Sequence, residues 1–289
     1  MDDRSRFRNV WFLDASHPDT ILGGLVQNGS ITEKNALEML DIILVSTAPI
    51  RVISRSTERV VSAVDSTLEP GDYLVTCESE IHLSVEPWVH RIISHSVSGR
   101  EDQFRDGIRA RDSKCVISGI LNLNAPYDWT SWEAAHIFPL EKEDLWIRYD
   151  YCRWITNMDD SVDMSKVNSV QNGFLLQSNI HKLFDQYLIS VNPDDNYKII
   201  SFRRDAHGID GRVLDPVCCN PDDPHRVSDQ LLRWHFRQSV LANMRGAGEP
   251  VFEDDFPPGT DIMKDLRNGP MAKERFELEL SSRLKKSAK

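Results

Sequence analysis

Along the first hundred residues, the order of apolar and polar positions marks out short elements of both kinds. From Thr32 to Leu44 the residues Ala36, Leu37, Met39, Leu40 and Ile43 recur at the three- and four-residue spacing of one helical face. Ser30 or Thr32 offers the hydroxyl that would accept from the first unpaired N–H groups of that helix. Arg51-Val52-Ile53-Ser54 predicts a strand, and Tyr73-Leu74-Val75-Thr76-Cys77 a second one after the turn Glu69-Pro70-Gly71-Asp72. This part of the chain reads as mixed structure, with a boundary near Ser98-Gly99-Arg100.

Beyond the boundary, Phe104 and Ile108 predict a helix running from Gln103 into Arg109-Ala110-Arg111-Asp112. Cys115-Val116-Ile117-Ser118-Gly119 predicts a strand ending in a turn. An apolar strand ends at His136 and is closed by Pro139, which cannot donate to a ladder. A connection over 141–170 carries Trp146, Tyr149, Tyr151 and Trp154, and its length calls for a functional role or a short helix of its own. A second strand spans Gly173 to Gln177, and Ser178 is expected to cap a short helix from Asn179 to Asp185. Tyr187 to Val191 and Tyr197 to Phe202 predict a hairpin about Asn192-Pro193-Asp194-Asp195-Asn196. A long helix from Ser228 to Arg245 should stop at Gly246-Ala247-Gly248. An extended stretch to Pro257-Pro258-Gly259 and a last helix over Ala272 to Leu284 complete the chain. The expected class is α+β: a mixed module over 1–100, then a domain over 101–289 whose core is 130–203 and whose C-terminal part is helical. Leu231, Leu232, Trp234, Phe236, Val240 and Leu241 give the Ser228 helix too much apolar surface to leave in water, so it should pack on that core. In this packed reading, Arg233 and Arg237 pair with carboxylates and do not contact phosphates.

At 289 residues the chain has room for one large or two ordinary domains, with an apolar share of 40% and a charged share of 27% that suit a globular fold. No run reaches the length of a membrane-spanning helix, and Met1-Asp2-Asp3-Arg4-Ser5-Arg6 lacks the apolar segment of a secretory signal. Cys77, Cys115, Cys152, Cys218 and Cys219 form no CxxC pair and read as reduced thiols, so an intracellular protein, cytoplasmic or nuclear, is expected. The net charge of −11 excludes a uniformly basic nucleic-acid binder, because nonspecific affinity comes from Lys and Arg neutralising phosphates. A local basic face remains compatible with that total.

The candidate chemistry lies in three stretches: Trp132-Glu133-Ala134-Ala135-His136-Ile137-Phe138-Pro139-Leu140, Asn172-Gly173-Phe174-Leu175-Leu176 and His181-Lys182-Leu183-Phe184-Asp185. His181 and Asp185 share one helical face, and Glu133 shares a strand face with Ala135. This order of His, Asn and His on strand, turn and helix resembles the HNH nuclease family, whose ββα-metal unit hydrolyses phosphodiesters in nucleic acids. The wording AAHIFPL, QNGFLL and HKLFD, with RWHFRQSVLANMRGAGEP and FEDDFPPGTD later, looks like a subgroup common in predicted fungal proteins and in some restriction endonucleases. The resemblance implies His136 as general base, Asn172 as the residue fixing the base-bearing loop, and His181 as ligand to a divalent ion, Mg²⁺ or Mn²⁺. Ala135 stands where most members place a metal-binding Asp or His, which leaves Glu133 or Asp185 to supply the second ligand. Many members also carry a CxxC zinc knuckle; Cys115-Val116-Ile117-Ser118-Gly119 keeps only its first cysteine, so no structural zinc is expected.

Three functions are carried forward. The first is a metal-dependent endonuclease on DNA or RNA, which a basic groove beside His136 would favour. The second is an HNH scaffold turned to acid–base or cyclisation chemistry on a small metabolite, which a closed pocket of Trp146, Tyr149 and Trp154 would favour. The third is a noncatalytic interaction protein.

Overall fold

The structure is a computed structural model that describes residues 4–89, 91, 99–157 and 165–248. The expected stretch over 249–259, the helix over 272–284 and Ser98 lie outside the described residues.

The N-terminal part contains β1 (Val10–Asp14), β2 (Ile21–Leu25), α1 (Glu33–Ile43), β3 (Leu44–Val45), β4 (Arg51–Ser54), β5 (Gly71–Thr76) and β6 (His82–Leu83). Four of these strands form a sheet in the order β2-β1-β5-β4, in which β1 and β5 run parallel. Thr32 is the cap of α1: its hydroxyl accepts from the Asn35 N–H at 3.2 Å, and the Asn35 side chain accepts from the Thr32 N–H at 3.1 Å. Such a reciprocal pair satisfies two otherwise orphaned donors. Strands β1 and β2 have no counterpart in the sequence reading. The Gly23-Gly24 pair within β2 breaks the strand pattern there, and tertiary packing requires it, because a Cβ on Gly23 would sit 2.8 Å from the Met244 carbonyl oxygen.

The second part contains α2 (Gly99–Asp112), β7 (Trp132–His136), α3 (Glu143–Arg148), β8 (Gly173–Gln177), α4 (Ser178–Asp185), β9 (Ile189–Asn192), β10 (Lys198–Ser201) and α5 (Asp229–Met244). Strands β7 and β8 pair antiparallel with His136 opposite Gly173, and α4 follows β8 without a loop, giving the ββα order. A Cβ at Gly173 would lie 2.6 Å from the Ala135 carbonyl oxygen and 2.4 Å from the Phe104 ring, so only glycine lets the ladder close under α2. Strands β9 and β10 form the expected hairpin.

Two expectations are corrected. Cys115 to Gly119 is a turn and not a strand: the Gly119 N–H donates to the Cys115 carbonyl at 2.7 Å, and Gly119 adopts a φ of 75° that reverses the chain. Val116 and Ile117 are both buried, which a two-faced strand at the surface would not allow. Ser178 is the first residue of α4, not its cap. Gln177 occupies the capping position, and the Ser178 hydroxyl donates to the Glu133 carboxylate at 2.8 Å, a charge-assisted bond stronger than a cap to a neutral N–H.

Helix α5 packs on the ββα core as expected, and it does more. Leu231, Leu232 and Trp234 join the core of β7, β8 and α4, whereas Phe236, Val240, Leu241, Ala242 and Met244 join the core under the four-stranded sheet. Arg233 pairs with Asp194 and Arg237 with Glu86, as the packed reading requires. Among the described residues, no helix is long and apolar enough to cross a membrane.

Because α5 is shared, Leu231→Ala and Leu241→Ala should each cost about 2–5 kcal/mol and should move one common unfolding transition. Calorimetry of the two variants checks this. Two transitions, each shifted by only one variant, would show that the shared helix does not couple the cores.

Candidate active site

The imidazole of His136 ends β7 and is held from two directions. Its ring lies flat against Phe104 of α2, with centroids 3.8 Å apart and planes 8° from parallel. Its Nε2 lies 3.1 Å from Asn168 Oδ1. A carbonyl-type oxygen there places the proton on Nε2 and leaves the lone pair on Nδ1, which has no hydrogen-bond partner among the described residues. His136 keeps some solvent exposure, yet burial of the ring, with Arg91 and His181 nearby, pushes its pKa down to about 4. The bond to Asn168 works in the other direction and is outweighed. At neutral pH the ring is therefore an uncharged base.

The loop that carries His136 is clasped by Asn172. Its wholly buried side chain accepts from the Phe138 N–H at 2.8 Å and donates to the carbonyls of Phe138 at 3.1 Å and Val167 at 2.8 Å. Its own carbonyl accepts from the Ile137 N–H at 2.8 Å. Asn172 touches no free space. Its hydrogen bonds tie the start of the β7–β8 connection to its end.

Beside this base runs a chain of alternating charge. Glu133 Oε2 meets His181 Nδ1 at 2.5 Å, and His181 Nε2 meets Asp185 Oδ2 at 3.1 Å. Arg91 donates to the other Asp185 oxygen and to the backbone carbonyls of His136 and Ile137. Burial alone would lower the His181 pKa, but Asp185 and Glu133 more than offset it and hold the ring up at about 9. Burial likewise disfavours the Asp185 carboxylate, and Arg91 and His181 override it and keep the pKa at about 2.

His181 and Asp185 are donor types that a divalent ion takes, and in this structure they pair with each other. A separation of 3.1 Å between His181 Nε2 and Asp185 Oδ2 is what two neighbouring ligands show around an octahedral ion with bonds of about 2.1 Å. Glu133 sits on the opposite ring nitrogen. That is the position of an outer carboxylate that orients a ligating histidine, and the Ser178 hydroxyl steadies it in turn. No group of three or more ligating side chains is present among the described residues, and His181 and Asp185 are paired with each other. Glu133, weighed from its spacing as a direct ligand, meets the His181 ring at Nδ1.

The structure thus brings His136, Asn172, His181, Asp185 and Glu133 into one neighbourhood. Ala135 is buried in the core and offers nothing to a ligand. Asn168, Phe104 and Arg91 were not singled out for chemistry. Asn168 lies in the long connection and Arg91 far upstream, and neither has a spacing signal toward His136. The closed pocket of Trp146, Tyr149 and Trp154 that would favour the second function is not formed among the described residues. Trp146 is core, with its indole N–H donating to the Ser165 carbonyl at 2.7 Å, and Tyr149 lies at the surface. Among the other histidines, His235 bonds Ser190 at 2.8 Å in the core, and His17 pairs with Asp14. His90 and His95 lie outside the described residues.

Comparison with protein families adds two matches. Residues 115–192 match a family described as HNH endonuclease, and residues 7–82 match a domain of unknown function (DUF8573). Neither the curated proteins nor the solved structures give a match to the chain. The HNH segment contains His136, Asn168, Asn172, Glu133, His181 and Asp185, while Arg91, Phe104 and α5 fall outside it.

The shifted pairs predict how stability follows pH. His181 titrates near 6.5 when unfolded and at about 9 in the fold, so its contribution is complete below pH 6.5 and is lost as pH rises through 9. His136 is shifted the other way: between pH 6.5 and 4 the unfolded chain binds the proton first, and stability falls with acid. Melting temperatures in EDTA should therefore decline on both sides of neutrality. His181→Gln should flatten the alkaline limb, and an unchanged alkaline limb in that variant would refute the assignment.

Proposed function

We propose that the chain is an HNH-type, metal-dependent phosphodiesterase acting on DNA or RNA. The observation that carries this reading is the juxtaposition of a neutral, oriented imidazole, His136, with the His181–Asp185 donor pair in a segment matching HNH endonucleases. In it, Nδ1 of His136 takes the proton of the attacking water, while Asn168 holds Nε2 and Phe104 restrains ring rotation. Asn172 positions the carrier loop. His181 and Asp185 would hold a divalent cation, which supplies neutralisation of charge on the phosphate and the leaving oxygen. Glu133 keeps His181 turned toward that point, and Arg91 balances the remaining carboxylate charge. The exposed Lys182, next to His181 on α4, gives the phosphate backbone a local cation in a chain of net charge −11.

A second reading rests on one observation. Arg91, Asp185, His181 and Glu133 already cancel each other's charge, as an HNH scaffold without nuclease activity would do. Divalent binding separates the two readings.

Plasmid DNA and single-stranded RNA, incubated with Mg²⁺ or Mn²⁺, should be cleaved by the wild type, and His136→Ala should slow cleavage by about 10²-fold or more. Wild-type cleavage by that variant would sink the role of His136. Calorimetry with Mn²⁺ should show binding abolished by His181→Ala and by Asp185→Ala, but weakened only about 10–100-fold by Glu133→Gln, as for an outer carboxylate. No Mn²⁺ binding by the wild type would decide for the scaffold without nuclease activity.

A further inference from the structure

The connection between β7 and β8 builds a column of aromatic rings. Trp154 stacks on Tyr151 with centroids 4.3 Å apart and planes 17° from parallel, and Tyr149 stacks on Tyr151 at 5.7 Å and 27°. Asp150, between the two tyrosines, adopts a left-handed φ of 53°, which lets rings two residues apart lie on one another. The column is rooted beside the candidate site: the Tyr151 ring packs on Phe138 at 5.4 Å, and Phe138 is held by Asn172 two residues past His136. The Arg153 guanidinium covers Trp154 at 5.5 Å, while Tyr149 is 52% exposed and has Tyr151 as its ring partner among the described residues.

A π-stack that ends in a half-exposed tyrosine ring favours a planar partner over an irregular protein surface. Exposed Arg148 and Arg153 beside it favour one carrying negative charge, although Arg153 also lies 3.9 Å from Asp150. Bases inside a duplex have both faces occupied by their neighbours and cannot add to such a stack, whereas an unpaired base can. We infer that Tyr149 is a stacking platform for an unpaired nucleobase, so that the strand engaged beside His136 is single-stranded. This rests on the phosphodiesterase reading for the identity of the ligand.

Binding in EDTA, where cleavage is absent, isolates the platform. Full-length protein is titrated into a fluorescein-labelled oligothymidylate and into a labelled duplex of equal length, and anisotropy is followed. The wild type should prefer the single strand. Tyr149→Ala should weaken that binding about 10-fold, Tyr149→Phe should keep it, and both variants should melt like the wild type because the side chain is largely outside the core. Single-strand binding untouched by Tyr149→Ala, equal loss in Tyr149→Phe, equal preference for duplex, or no binding to either oligonucleotide would each overturn the inference. The failures are separable. Stacking-dependent binding without His136-dependent cleavage would leave the platform and remove the enzyme, and cleavage indifferent to Tyr149 would do the reverse.

Discussion

One buried amide, the side chain of Asn172, closes the two ends of the β7–β8 connection onto each other. Its three hydrogen bonds reach both backbone groups of Phe138 and the carbonyl of Val167, and no part of it contacts water. In such a setting each backbone group left unpaired would cost about 1–3 kcal/mol, so the clasp is specified tightly. Three features depend on it. His136 lies two residues before Phe138, Asn168 follows Val167 directly, and the Phe138 ring supports the aromatic column. His136, Asn168 and the exposed stack share one anchor.

The electrostatics of the site follow from burial more than from composition. Arg91, Asp185, His181 and Glu133 alternate in sign along a continuous path from the buried Arg91 to the partly exposed Glu133, so each charge is stabilised by its neighbours. His136 lies close enough to Arg91 and His181 to be denied a positive charge of its own. Two histidines with the same unperturbed pKa are thereby driven apart, to about 4 and about 9. That divergence leaves His136 uncharged at neutral pH and His181 charged between its two carboxylates.

The ββα unit depends on elements beyond itself. Helix α2 supplies the Phe104 ring that lies on His136 and is tied to β8 by the Arg111–Asp112 pair. Asp112 accepts from the Leu175 N–H at 2.7 Å, and Arg111 donates to the carbonyls of Gly173, Val170 and His225. Helix α5 closes the other side and continues into the N-terminal core. A β-hairpin and a short helix bury little apolar area alone, and these two helices supply the rest.

Local physics made much of this readable from the chain. Apolar spacing located α1, α2 and α5, the Asn-Gly and apolar run located β8, and His136, Asn172 and His181, singled out by their order, come together in the fold. Those signals are local because a helix face, a strand end and a cap are properties of neighbouring residues. What the chain could not reveal depended on partners distant in sequence. Glycines hid β2, since Gly23 is required by Met244 more than two hundred residues later. The Cys115 segment carries a strand-like composition, but a left-handed glycine and burial of both its apolar residues turn it into a reversal. Spacing could not rank Glu133 and Asp185; in the fold the His181 ring lies between them, with Nδ1 at Glu133 and Nε2 at Asp185. Asn168, Phe104 and Arg91 carry no periodicity that points at His136. Their roles arise from contacts that exist only once α2, the long connection and Arg91 meet around the end of β7.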